Sequence, residues 1–112
     1  MLDLGHLSHQ TLGNRALERE VLELFAAQID AQVETLRTAQ DGRQRKIAAH
    51  TIFGSSLAIG AFGVAQVAER IEAKEQANDG DVAELVDVVE RTCTVIAARL
   101  ESLREQTPST CR

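Results

Sequence analysis

No proline interrupts the chain before Pro108, and over that stretch apolar residues recur every three or four positions. Proline cannot continue a helix, so its absence leaves long helices possible. Leu17, Val21, Leu24, Phe25, Ile29, Val33 and Leu36 form one such series. It predicts an amphipathic helix within 14–40, with Glu18, Glu20, Glu23, Asp30 and Glu34 on its other faces. Further helices are predicted over 43–59 and over 61–77, the second carrying Val64, Val67, Ala68 and Ile71 on one face. Asn78-Asp79-Gly80-Asp81 reads as a turn, and Asp81 followed by Glu84 resembles a capping box that opens a last helix. That helix runs through Val82, Leu85, Val89, Cys93, Ile96, Leu100 and Leu103.

Gly13, Gly42, Gly60 and Gly80 divide these stretches, and strict alternation of apolar and polar residues is hard to find. Aromatic residues make up only 3% of the chain, which leaves few of the residues that strands prefer. Four amphipathic helices on short turns must bury their stripes against one another. The expectation is all-α: an antiparallel four-helix bundle, with residues 1–12 as a short N-terminal lead-in or cap and 107–112 as a tail. With 112 residues, one domain spanning 1–112 is expected, and a monomer, since the four stripes can satisfy each other.

A net charge of −5 argues against a nucleic-acid backbone as partner, whose footprint is basic. No apolar run is long enough for a membrane span, and the first residues lack the basic-then-apolar order of a secretory signal. Cys93 and Cys111 fit no paired pattern and read as free thiols in a reducing cytoplasm, Cys93 in the core and Cys111 in the tail. His6 and His9 read as surface residues near the terminus, and no metal site is expected. Arg43, Arg45 and Lys46 read as a solvated basic segment.

The stretch from Ala49 to Ala61 does not look like an ordinary helix. Gly54 sits four residues after His50 and is followed by Ser55 and Ser56, although a glycine inside a helix costs about 1 kcal/mol against alanine. At about 100° per residue, Ala48, Ile52, Ser55 and Ile59 fall opposite the histidine and should pack inward. His50 then points outward, with Lys46, Ile47, Phe53, Gly54 and Leu57 on its side. A merely solvated face would carry Glu, Lys and Gln. Apolar residues beside a histidine suggest a docking surface, and Gly54 removes a side chain that would crowd the imidazole.

These residues resemble the motif of the histidine-containing phosphotransfer (HPt) domain of two-component phosphorelays. That motif runs His-x-x-Lys-Gly, two small residues, two of any kind, an aliphatic residue, Gly, and Ala or Leu. His50, Gly54, Ser55, Ser56, Ile59, Gly60 and Ala61 match it in register. The family commonly has Glu or Gln on the following helix, twenty-two residues after the histidine, and here that residue is Glu72. One position departs: Phe53 stands where the family has lysine. Lys46, one turn before His50 on the same side, is placed to supply positive charge instead.

The resemblance implies His50 as phosphoacceptor and Glu72 as the group that orients its imidazole. The chemistry is reasonable, because imidazole is nucleophilic at neutral pH when one nitrogen is unprotonated and exposed. The implied partners are response-regulator receiver domains and a sensor or hybrid histidine kinase, with Mg²⁺ on the receiver and no cofactor on this chain. With no glycine-rich ATP loop in the sequence, a carrier is expected rather than a kinase. The rival expectation is an HPt-like interaction module that binds receivers without carrying phosphate.

Overall fold

The structure, a computed structural model, describes residues 2–75 and 77–106. Pro108, Cys111 and the tail lie outside the described residues. Five helices follow in order: α1 (Leu4–Gln10), α2 (Arg15–Arg37), α3 (Gly42–Ile59), α4 (Phe62–Ala73) and α5 (Asp79–Gln106). No strand forms among the described residues, and no helix among them is long and apolar enough to cross a membrane.

The helix starts follow from local chemistry. Asp3, Asn14 and Asp41 each cap a helix by accepting a hydrogen bond from the N–H three residues on, in His6, Leu17 and Gln44. A side-chain oxygen there satisfies a backbone donor the helix itself cannot pair. α5 opens on a reciprocal pair instead. The Asp81 N–H donates to Asn78 Oδ1 at 2.8 Å, while the Asn78 N–H donates to Asp81 Oδ2 at 2.9 Å. The capping box is therefore Asn78–Asp81, three residues earlier than the expected Asp81–Glu84, and α5 begins at Asp79. α4 is correspondingly shorter than 61–77 and ends at Ala73, where Lys74 turns extended.

α2 packs on α3 and α5, and α4 packs on α3 and α5, so the four long helices close a ring around one core. The side-chain bonds that cross between helices show neighbours running antiparallel. Glu18 near the start of α2 meets Arg99 near the end of α5, and Arg70 near the end of α4 meets Glu84 near the start of α5. From α2 the core takes Leu22, Phe25, Ile29, Val33 and Leu36; from α4, Val64, Val67, Ala68 and Ile71; from α5, Val82, Leu85, Val89, Ile96 and Leu103. Cys93 and Leu100 are half-buried against it. Burying each such side chain stabilises the fold by about 1.5–3 kcal/mol before conformational entropy is counted.

α2 corrects part of the expected stripe. Leu17 and Leu24 are exposed, Leu24 to 58%, and Val21 is only half-buried. Glu18, expected on an outer face, is buried and takes a two-pronged ion pair from Arg99: Nε to Oε2 at 2.6 Å and Nη2 to Oε1 at 3.2 Å. The guanidinium fork matches the carboxylate and satisfies a charge that could not be buried alone. Glu18 shares the inward face with Leu22, which reaches the core where Val21 and Leu24 do not.

α3 and α4 form a tight hairpin. Gly60 caps α3 at φ +81°, and the N–H groups of Gly60 and Ala61 return to the carbonyls of Leu57 and Ser56. The lead-in lies against this corner. Leu2 bridges Ala61, the Asp3 N–H donates to the Gly60 carbonyl at 2.9 Å, Leu7 is buried, and the His6 ring meets Phe62 edge-on.

Candidate functional site

His50 lies in the middle of α3. Ala48, Ala49, Ile52, Ser56 and Ile59 are buried on the helix's inner side, so the imidazole is pushed outward and its side chain is 70% exposed. Ser55, expected among the anchors, is only half-buried; the fully buried serine is Ser56. Ser55 donates to the Thr51 carbonyl and accepts from the Gln32 amide at 3.3 Å.

The hairpin brings Glu72 to the histidine. His50 and Glu72 stand at nearly equal distances from the Gly60–Ala61 corner, so antiparallel arms set them side by side. On α4, Ile71 is buried and Glu72 sits at the edge of that face, 33% exposed, within reach of α3. Glu72 Oε2 lies 2.7 Å from His50 Nδ1. An ionised carboxylate can only accept, so the proton of this bond belongs to Nδ1. In the neutral imidazole that leaves Nε2 with a free lone pair, and Nε2 has no hydrogen-bond partner among the described residues.

A shallow depression of about 350 Å³ surrounds the pair, lined by Lys46, Ile47, His50, Thr51 and Glu72. Thr51 is the lining residue the motif does not point to. Its signal is helical spacing, since its hydroxyl donates to the Ile47 carbonyl one turn back at 3.2 Å. Ile47 and Thr51 also border a groove of about 430 Å³ between α2 and α3, which reaches Gln32, Thr35 and Gln44. Another depression, of about 510 Å³, opens between Arg37, Arg45, Val82 and Glu90 and shares no residue with the histidine site.

The remaining residues expected on the working face divide in two. Lys46, Ile47 and Leu57 are exposed, and a side chain at Gly54 would meet nothing within 4 Å. Phe53 is instead half-buried against the core. The basic segment also needs correction. Arg45 is not a solvated cation; its guanidinium donates to the Ala77 carbonyl and to Asp79 Oδ1, the latter at 2.8 Å. His6 is half-buried against Phe62, while His9 is exposed, and no group of three or more potential ligands for a metal ion occurs among the described residues.

The arrangement is a nucleophilic nitrogen held in one tautomer by a carboxylate, open to large partners and without an enclosing pocket. Comparison with known proteins agrees in kind. The Hpt domain family model matches residues 20–106, a span that includes all of α3, α4 and α5. No curated protein and no solved structure matches the chain. Hpt domains are phosphocarriers, not kinases, and interact with receiver domains and kinases. The chain therefore belongs to the Hpt domain family and has a phosphotransfer-related role in two-component signalling.

Proposed function

We propose that this chain is a phosphorelay intermediate that accepts a phosphoryl group on His50 Nε2 from a kinase or a receiver-domain aspartate and passes it to another receiver-domain aspartate. The observation that carries this reading is the Nδ1–Glu72 hydrogen bond on a ring that is 70% exposed.

In the loading step the Nε2 lone pair attacks phosphorus. With an aspartyl phosphate as donor, the P–O bond to the aspartate breaks and its electron pair leaves with the carboxylate. Nε2 carries no proton to lose, and Nδ1 keeps its own. The phosphorylated ring is then cationic, and Glu72 stabilises that charge. Delivery reverses the sequence: an aspartate oxygen attacks phosphorus, the P–Nε2 bond breaks, and the pair returns to the ring. Such transfers depend mainly on positioning and electrostatics, so most of the remaining machinery belongs to the receiver, where Mg²⁺ is expected. The reading needs no metal or cofactor on this chain, and it places the chain as a monomer in the cytoplasm beside its partners.

Incubation with a labelled phospho-receiver or an active kinase tests it. Acid-labile, alkali-stable label should appear on the wild-type chain and be absent from His50→Gln. Glu72→Ala should slow loading about tenfold to a hundredfold, the value of a hydrogen bond to a charged group. Label that persists in His50→Gln would overturn the assignment. A chain that binds receivers but never takes label would favour an interaction module, the reading that Phe53 at the family's lysine position supports.

A further inference from the structure

We infer that Lys46 is the cation that holds the phosphoryl group on His50, an assignment that rests on the phosphocarrier reading above. A phosphoryl group carries roughly −1.5 to −2 charge at neutral pH. At this site it would stand beside the Glu72 carboxylate, whose like charge repels it. A positive charge within reach would offset that repulsion.

The cations of the two helices that form the site are quickly sorted. α3 carries Arg43, Arg45 and Lys46; α4 carries Arg70, with Lys74 just after it. Arg45 is committed to the Ala77 carbonyl and Asp79. Arg70 is bound to Glu84 at 2.8 Å and Lys74 to Asp81 at 2.7 Å. Arg43 does not line the depression around His50. Lys46 does, is exposed, and has no ion pair or side-chain hydrogen bond among the described residues.

Helix geometry favours the same residue. Side chains lean toward the N-terminus of their helix, so a group on the His50 ring lies over the preceding turn, where Lys46 sits at i−4. The following turn offers half-buried Phe53 and bare Gly54, neither with a charge to give.

The test uses the full chain phosphorylated by phosphoramidate, which forms the P–N bond to imidazole as it releases ammonia. The ³¹P signal absent from His50→Gln identifies phospho-His50. Besides the phosphoryl group, the titratable groups that line this depression among the described residues are Lys46 and His50 of α3 and Glu72 of α4. A unit positive charge about 6 Å away in water-like surroundings lowers the second phosphoryl ionisation by about half a pH unit. Lys46→Ala should raise that ionisation by this amount and slow transfer to a receiver about threefold, and added salt should narrow both differences. Lys46→Arg should restore both. Phospho-His50 that titrates identically in wild type and Lys46→Ala overturns the assignment of Lys46 alone. A wild-type chain with no signal beyond that of His50→Gln overturns the phosphocarrier reading, and this inference with it.

Discussion

Replacing Gly54 with alanine adds one methyl group at a spot where a Cβ would meet no atom within 4 Å. Gly54 lies inside α3, so the change should gain helix propensity without a clash to subtract. The gain is about 0.8–1 kcal/mol, which for a chain of this size raises Tm by about 4 °C. Function should move the other way. The added methyl stands on the helix face beside His50, where the proposed transfer would bring a receiver domain close, and overpacking a close contact costs about 1–3 kcal/mol. Transfer from a phospho-receiver should therefore fall about tenfold, while loading by phosphoramidate, a small donor, should be unchanged. Urea denaturation and parallel transfer kinetics with the two donors measure both effects. A stabilised variant that exchanges phosphate with receivers at the wild-type rate would refute the idea that this glycine provides clearance. A destabilised variant would refute the conformational argument itself.

Gly60 should behave in the opposite sense. At φ +81° an alanine would also bring its Cβ to 2.9 Å from the Asp3 carbonyl oxygen, so Gly60→Ala should lose about 2 kcal/mol or more in urea denaturation. Arg99→Met leaves Glu18 buried and unpaired and should cost about 3 kcal/mol, part of which Glu18→Gln should recover in the double variant. The hydrogen bond from Lys74, then that from the Asn78 N–H, holds Asp81 below the ordinary carboxylate range. A depressed folded-state pKa stabilises above the unfolded value and is lost as pH falls through the folded one. Stability should thus decline below roughly pH 4, and Asp81→Asn should flatten that limb of a pH–stability curve. Burial, then the charges of Asp30 and Glu90, raises the Cys93 thiol, so disulfide reagents should modify it slowly at neutral pH until the chain unfolds.

Periodicity made most of this fold legible. The α4 stripe is buried where the three-and-four spacing places it, and so is that of α5 apart from half-buried Cys93 and Leu100, because both helices bury aliphatic residues with no competing charge. In α2 two apolar series compete, one through Val21 and Leu24 and one through Leu22, and the burial of Glu18 by a partner 81 residues away is not legible in the local pattern. Ser55 and Ser56 are chemically identical neighbours near the boundary of one face, so a modest rotation of α3 exchanges them. Asp81 with Glu84 looked able to start α5; the reciprocal bonds between Asn78 and Asp81 move the start to Asp79. At the site, His50 is outward because its opposite face is aliphatic, which any helical projection reveals. That Glu72 meets it depended on the length of the connection between α3 and α4, which the family spacing carried and composition alone did not.

The short α3–α4 corner turns this site into a pair of levers. His50 and Glu72 each ride about ten residues from the pivot, an arm of about 15 Å. Splaying the arms by about 5° would separate their ends by about 1.3 Å on that arm length, enough to break the 2.7 Å bond between imidazole and carboxylate. The contact between His50 and Glu72 therefore depends on the angle between α3 and α4. At the corner that sets this angle, Leu2 bridges Ala61 and the Asp3 N–H donates to the Gly60 carbonyl. A short segment remote from His50 thus ties down the pivot of the two arms.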